Sequence, residues 1–304
     1  MTRLAHRLAA STLAFLAAFP ALAQTTPDFG KVEIRTTQLA PDFWTLEGAG
    51  GTISVLAGAD GVLLVDSQFA PLTDKLVAAI RRVSQQPVRF LVDTHLHPDH
   101  VGGNANFAKL GATIFARDQL RYRLEHPAPA ADGTTAQPAP AQALPVVTYN
   151  ASLSIHIDNE DVRLLPVIAA HTDGDTIVSF PRHDILAVGD VYRSVGYPYA
   201  DLANGGSLAG MLEGLSEILD RAGPGTRIIP GHGPIVNRDA VRAQRDLILG
   251  LRAKVQTLVE QGKTLDEIIA AHPTADVDAS VPQGTPATRD RFVTWVYKEV
   301  VANR

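Results

Sequence analysis

The stretch Thr94-His95-Leu96-His97-Pro98-Asp99-His100 gathers three imidazoles and a carboxylate into seven positions, and few folds have a use for such a cluster. Imidazole is a poor core residue and Asp is seldom buried without a partner, so packing alone does not account for it. Neutral imidazole and carboxylate are, however, the groups that hold zinc at neutral pH. Val88 to Val92 is an apolar run rich in β-branched residues and reads as a buried strand, so His95 and His97 follow a strand end. In extended backbone, residues i and i+2 project to one side, which lets both rings grip one ion. Pro98 sets a turn, Asp99 falls where a helix N-cap is favoured before the pattern Val101 to Leu110, and His100 swings off the first ion. A second ion nearby is the economical reason to place Asp99 and His100 there.

His95-x-His97-x-Asp99-His100 followed by Val101-Gly102-Gly103 resembles the signature of the metallo-β-lactamase superfamily. Other landmarks stand in the family's order. Asp66 closes Leu63-Leu64-Val65-Asp66, His171 lies in Ala170-His171-Thr172-Asp173-Gly174-Asp175-Thr176, Asp190 in Val188-Gly189-Asp190, and His232 in Pro230-Gly231-His232-Gly233. The resemblance implies an α/β (α+β) chain folded as a four-layer αββα sandwich. It also implies two zinc ions, one held by His95, His97 and His171, the other by Asp99, His100 and His232, with Asp190 bridging them. Asp99 would additionally orient the attacking water, and Asp66 would fix a ligand ring by hydrogen bond from behind. Tyr192, Tyr197 and Tyr199 follow Asp190 in a loop without clear periodicity and are candidates for lining a substrate pocket. His126, His156, His183 and His272 have no motif around them and read as surface residues.

The chain has no cysteine, so no thiolate can serve as a ligand. That excludes the β-lactamase subgroups with a Cys at the position of Asp190. The remaining likeness is to all-His/Asp β-lactamases and to thioester- and lactone-hydrolysing relatives, toward which a bridging Asp190 leans. The resemblance implies a zinc-dependent hydrolase that opens a carbonyl bond in a small-molecule substrate, a β-lactam amide, a lactone or a thioester. An iron-dependent persulfide dioxygenase of the same superfamily is the alternative, and a binding protein that keeps the fold without catalysis is a third. The net charge of −5 and the lack of a dense Lys/Arg cluster argue against a nucleic-acid partner.

Residues 1–23 read as a separate element. Arg3 and Arg7 make a basic start, Leu8 to Phe19 an apolar run, and Ala21-Leu22-Ala23 a cleavage site before Gln24, together a secretory signal peptide. Cleavage removes two arginines and no acid, moving the formal charge to −7, and implies a periplasmic or secreted protein without stable membrane association. Residues 24–304 then read as a single domain. Strands are expected at Val32 to Thr36, Phe43 to Glu47, Thr52 to Ala57 and Val62 to Asp66, a helix around Leu72 to Val83, and another strand at Ala112 to Phe115. His126 to Pro145 reads as a long loop, equally a surface linker or a lid. A second half follows, with a turn at Asn159-Glu160, a Ser207-capped helix, and C-terminal helices opened by Asn237 and by the capping box Thr264-x-x-Glu267. N-terminal sequencing of the exported protein tests the leader: the expected first residue is Gln24, and retention of Met1 would contradict cleavage.

Overall fold

The structure, a computed structural model, describes residues 27–129 and 133–302, so the expected leader lies outside the described residues. Seven strands form the first sheet in chain order: β1 (Arg35–Ala40), β2 (Phe43–Glu47), β3 (Ile53–Gly58), β4 (Gly61–Val65), β5 (Val88–Val92), β6 (Thr113–Arg117) and β7 (Val147–Tyr149). β1 to β4 pair antiparallel, whereas β4 to β7 pair parallel. Parallel neighbours need crossovers. These are α1 (Thr73–Val83) after β4, then α2 (Pro98–Val101) and α3 (Asn104–Lys109) after β5, and α4 (Asp118–Glu125) after β6. The second sheet holds β8 (Leu153–Ile157), β9 (Glu160–Pro166), β10 (Thr176–Phe180), β11 (Ile185–Ala187) and β12 (Arg227–Ile229), in the order β12-β11-β10-β9-β8. Helix α5 (Leu208–Arg221) carries the chain from β11 to its parallel neighbour β12, and α6 (Arg238–Glu260), α7 (Leu265–Ala270) and α8 (Pro286–Ala302) complete the chain. Among the described residues no helix is long and apolar enough to cross a membrane.

Strand alternation sorts the apolar side chains into three cores. Leu63 and Val65 face inward with Phe43 and Val92, meeting Leu164, Val178 and Phe180 of the second sheet. Val62 and Leu64 face outward onto Leu72, Leu76 and Phe107 beneath the first helical layer. Leu165, Ile177 and Ile228 of the second sheet pack outward on Met211, Leu215, Ile248 and Phe292. The result is the four-layer αββα sandwich, and central strands β4 and β10 are buried along their whole length because both faces are covered.

Several local expectations change. The helix expected over Val101 to Leu110 breaks into α2 and α3 at Gly102-Gly103, because that corner is pressed against the chain leaving β4. Ser67 N donates to His100 O (2.7 Å) and Gly103 N to Gln68 O (2.8 Å), and a Cβ on Gly103 would sit 2.5 Å from Ser67 O. Asp99 is not an N-cap: His97 holds that position, and Asp99 lies inside the first turn. The first strand starts at Arg35, later than expected, and the β8–β9 turn uses Asp158-Asn159, both at positive φ, one residue early. The caps at Ser207, Asn237 and Thr264 are present. The described part of 126–145 is tied down at its end, with Ala139 N on Leu124 O (2.9 Å), Val146 N on Ile114 O (3.0 Å) and Asn104 Nδ2 on Ala143 O (3.3 Å). His183 is not a surface residue. Its ring is buried between Glu160 Oε2 (2.6 Å) and Asp42 Oδ1 (2.8 Å), joining the two sheets.

Phe180 is fully buried between the sheets, edge-on to Phe43 at 4.8 Å between centroids. Phe180→Ala is expected to cost about 3–5 kcal/mol of stability, read as a lower urea midpoint with unchanged slope.

Candidate metal centre

The sandwich brings the singled-out residues to one edge by using strand ends. In the first sheet β4 and β5 run parallel, so Asp66 and the segment Asp93 to His97 emerge side by side. In the second sheet β11 and β12 run parallel, so Asp190 and His232 do the same, with Gly231 N on Gly189 O at 2.7 Å. His171 comes from the loop between β9 and β10. Two backbone bonds fasten the halves at this edge: Thr176 N to Thr94 O and Thr52 N to Gly231 O, both 2.8 Å.

Three groups of potential ligands result: His95, His97 and His171; Asp99, His100 and His232; and His95, His100 and Asp190, the ligand atoms of each lying within 4.8 Å of one another. His95 Nε2 is 3.1 Å from His97 Nδ1, which is 3.0 Å from His171 Nε2. The outer partners fix which nitrogens carry protons. His97 Nε2 donates to Asp201 Oδ2 (2.9 Å), and His171 Nδ1 donates to the Tyr199 carbonyl (2.8 Å). Thr94 Oγ1 donates to Asp66 Oδ2 (2.8 Å) and so accepts from His95 Nδ1 (3.1 Å). Three bare lone pairs therefore converge, that of His97 about 3 Å from each of the other two, an arrangement that repels unless a cation lies among them. His95 and His97 meet as expected, but across a bend over 94–96 and not along extended strand. Asp66 imposes that bend by accepting Thr94 N at 2.7 Å.

In the second group His100 Nε2 is 3.3 Å from His232 Nε2, and Asp99 Oδ2 is 3.2 Å from His232 Nε2. His100 Nδ1 donates to Asp66 Oδ2 at 2.7 Å, so Nε2 is the nitrogen that faces inward. Asp190 lies between the groups, Oδ1 3.4 Å from His232 Nε2 and Oδ2 3.6 Å from His171 Nε2. Among the described residues the buried Asp190 Oδ1 has no hydrogen-bond partner, an orphaned acceptor that a cation would satisfy.

The electrostatics favour the ligating forms of His95, His171, Asp190 and Asp99 and oppose that of His100. Burial pushes the His95 pKa well down, with help from His100, and pushes His171 down to about 4. Burial would raise Asp190, but His232, His171 and His100 hold it below the ordinary carboxylate range. Burial likewise opposes ionisation of Asp99, yet His232 and His100 bring it down to about 2. Burial would lower His100, whereas Asp66 and the neighbouring carboxylates raise it to about 9, so a metal must displace a proton there. The donor set fits divalent ions that accept nitrogen and carboxylate ligands.

Two glycines leave room for these side chains. A Cβ on Gly51 would sit 2.2 Å from His100 Cε1, and one on Gly231 would sit 1.9 Å from Asp190 Oδ1. The tyrosines divide. Tyr192 and Tyr197 pack in the core of the second helical layer, where Tyr197 donates to Asp278 and stacks on Phe292. Tyr199 lies edge-on to His171 at 5.9 Å between centroids, with the Arg291 guanidinium 4.2 Å above its ring. Asp201, which accepts from His97, is a residue of the candidate site that the sequence reading missed. Its chain signal, an Asp that caps the turn Leu202–Asn204, reveals a turn but not the distant His97.

The profile of the Metallo-beta-lactamase superfamily matches residues 46–232. The Metallo-beta-lactamase type 2 of Bacillus cereus is 23% identical over 199 residues, covering 64% of this chain and 71% of that protein. Among solved structures, the inverting sec-alkylsulfatase Pisa1 from Pseudomonas sp. is similar with a TM-score of 0.66 at 18% identity, over 87% of this chain. The chain spans half the length of that sulfatase. The metallo-β-lactamase FIM-1 from Pseudomonas aeruginosa, in its mono-zinc form, gives a TM-score of 0.57 at 19% identity, over 71% of this chain and 95% of that one.

Gly51→Ala is expected to displace the His100 ring and lower the metal bound per chain, measured by elemental analysis after dialysis, while circular dichroism stays native.

Proposed function

Because the chain belongs to the metallo-β-lactamase superfamily, we propose that it is a zinc-dependent hydrolase that opens the carbonyl bond of a small β-lactam, lactone or thioester outside the cytoplasm. The observation that carries this reading is the set of imidazole lone pairs aimed at one another, each fixed by an outer partner, with the orphaned Asp190 carboxylate between the two groups. His95, His97 and His171 would hold one zinc ion, Asp99, His100 and His232 a second, and Asp190 both. Bound zinc supplies Lewis acidity and lowers the pKa of water from 15.7 to about 7, so that a nucleophile exists at neutral pH.

The chain's own groups do the rest. Asp99, held ionised, accepts a hydrogen bond from the attacking water and aims it. Asp66 and Asp201 keep the protons of His100 and His97 on their outward nitrogens, so the inward ones stay available. Arg193 lies 3.8 Å from Asp190 Oδ2, and its buried Nε has no hydrogen-bond partner among the described residues. That guanidinium and Arg291 above Tyr199 favour an anionic substrate. They support a second reading, sulfate-ester hydrolysis, in line with the fold similarity to the alkylsulfatase. A persulfide dioxygenase would need one iron and no zinc.

The test is hydrolysis of a chromogenic cephalosporin, an aryl lactone, a thioester and a secondary alkyl sulfate by zinc-reconstituted mature protein beside a chelated control. Turnover of one class, abolished by chelation and lowered at least ~100-fold by Asp99→Ala, is the expected result. Iron as the bound metal, with oxygen uptake on a persulfide, would overturn the hydrolase reading.

A further inference from the structure

His95 and His97 come from the first sheet and His171 from a loop of the second, so a shared ion requires something to hold the two halves in register at that loop. The loop 167–175 is fastened on one side by its own half. Asp201 N donates to His171 O (2.7 Å), Ser207 N to Ala170 O (3.0 Å), and Ser207 Oγ to Ala169 O (2.7 Å), with Ala169 held at φ +53°. The opposite side is met by residues of the first half. Arg117, the last residue of β6, is buried, and its Nη1 donates to two carbonyls of the loop, Val167 O and Asp173 O, both at 2.9 Å. Those carbonyls bracket His171 in the chain. Val167 N closes the same loop on Asp175 O at 2.9 Å.

The neighbours of Arg117 on α4 extend the contact. Arg123 Nη2 donates to Asp173 Oδ2 at 2.6 Å, Gln119 Nε2 reaches the same oxygen at 3.3 Å, and a Cβ on Gly174 would lie 2.9 Å from the Leu120 backbone. Arg117 is buried and its Nη1 is spent on two backbone carbonyls, a fork that a point charge on a flexible stem reproduces poorly. We propose that Arg117 is a positioning residue: it sets His171 against His95 and His97 by gripping the two ends of the loop that carries it, across the seam between the sheets. The inference rests on the ligand role proposed above for His171.

The experiment uses the whole mature protein, wild type and Arg117→Met, with two readouts. Hydrogen exchange of the metal-free proteins should show faster exchange over 167–175 in the variant and unchanged exchange in β3, β4 and β10. Competition with a chromogenic chelator, together with the visible spectrum of the cobalt-substituted proteins, should show one metal site weakened ~10 to 100-fold with an altered spectrum, and the other retained. A residue that serves stability alone would lower the unfolding temperature and leave both affinities and the spectrum native, and that outcome overturns the proposal. So does native exchange in the loop. If Arg117→Met does not fold, Arg117→Lys is measured in the same way, and native loop exchange with native affinity there overturns it equally. Wild-type protein that binds no metal would sink the hydrolase reading, while the exchange data would still decide whether Arg117 holds the loop.

Discussion

The Asp66 carboxylate is the point on which the candidate site depends. It accepts Thr94 N, Thr94 Oγ1 and His100 Nδ1 at 2.7–2.8 Å, and thereby bends the chain after β5, orders His95 through the threonine hydroxyl and turns His100 inward. Asp66 itself adopts φ +69°, an uncommon conformation for a non-glycine residue that is kept where surroundings determine it. A single buried acceptor thus specifies two imidazoles from opposite sides, one from each of the groups that would hold an ion. Burial makes that specification strong, since each donor it takes would otherwise be left unpaired away from water.

What Asp66 does within the first half, backbone contacts do between halves. Thr176 N on Thr94 O and Thr52 N on Gly231 O are ordinary backbone hydrogen bonds meeting across two sheets, yet they set the separation at which rings from 97 and 171, or from 100 and 232, face each other at about 3 Å. The close approach has a compositional cost, visible as glycine at 51 and 231 where any side chain would enter the ligand space.

Much of this was legible in the chain. The motif at 95–100 and the isolated His171, Asp190 and His232 converge, and the caps at Ser207 and Thr264 lie where local chemistry placed them. Local chemistry failed where a distant backbone intervened. Asp99 has the right residue type for a cap, but the contact with Ser67 and Gln68 starts the helix earlier and splits it at Gly102-Gly103. Tyr192 and Tyr197 stand beside Asp190 in sequence but turn into the helical layer, because α8, remote in the chain, supplies the apolar surface. Asp201 and Arg117 act on groups 104 and 50–56 residues away, and no spacing rule spans such separations. His183 was misread for the same reason, since its carboxylate partners come from two other strand ends.

His183 sits at the end of β11 opposite Asp190, with a carboxylate at each ring nitrogen, one from each sheet. The sandwich is therefore riveted at the edge remote from the ligand cluster by groups that need no ion. The two edges of the sandwich are thus closed by different means, ionisable side chains at the one and backbone hydrogen bonds beside the histidines at the other.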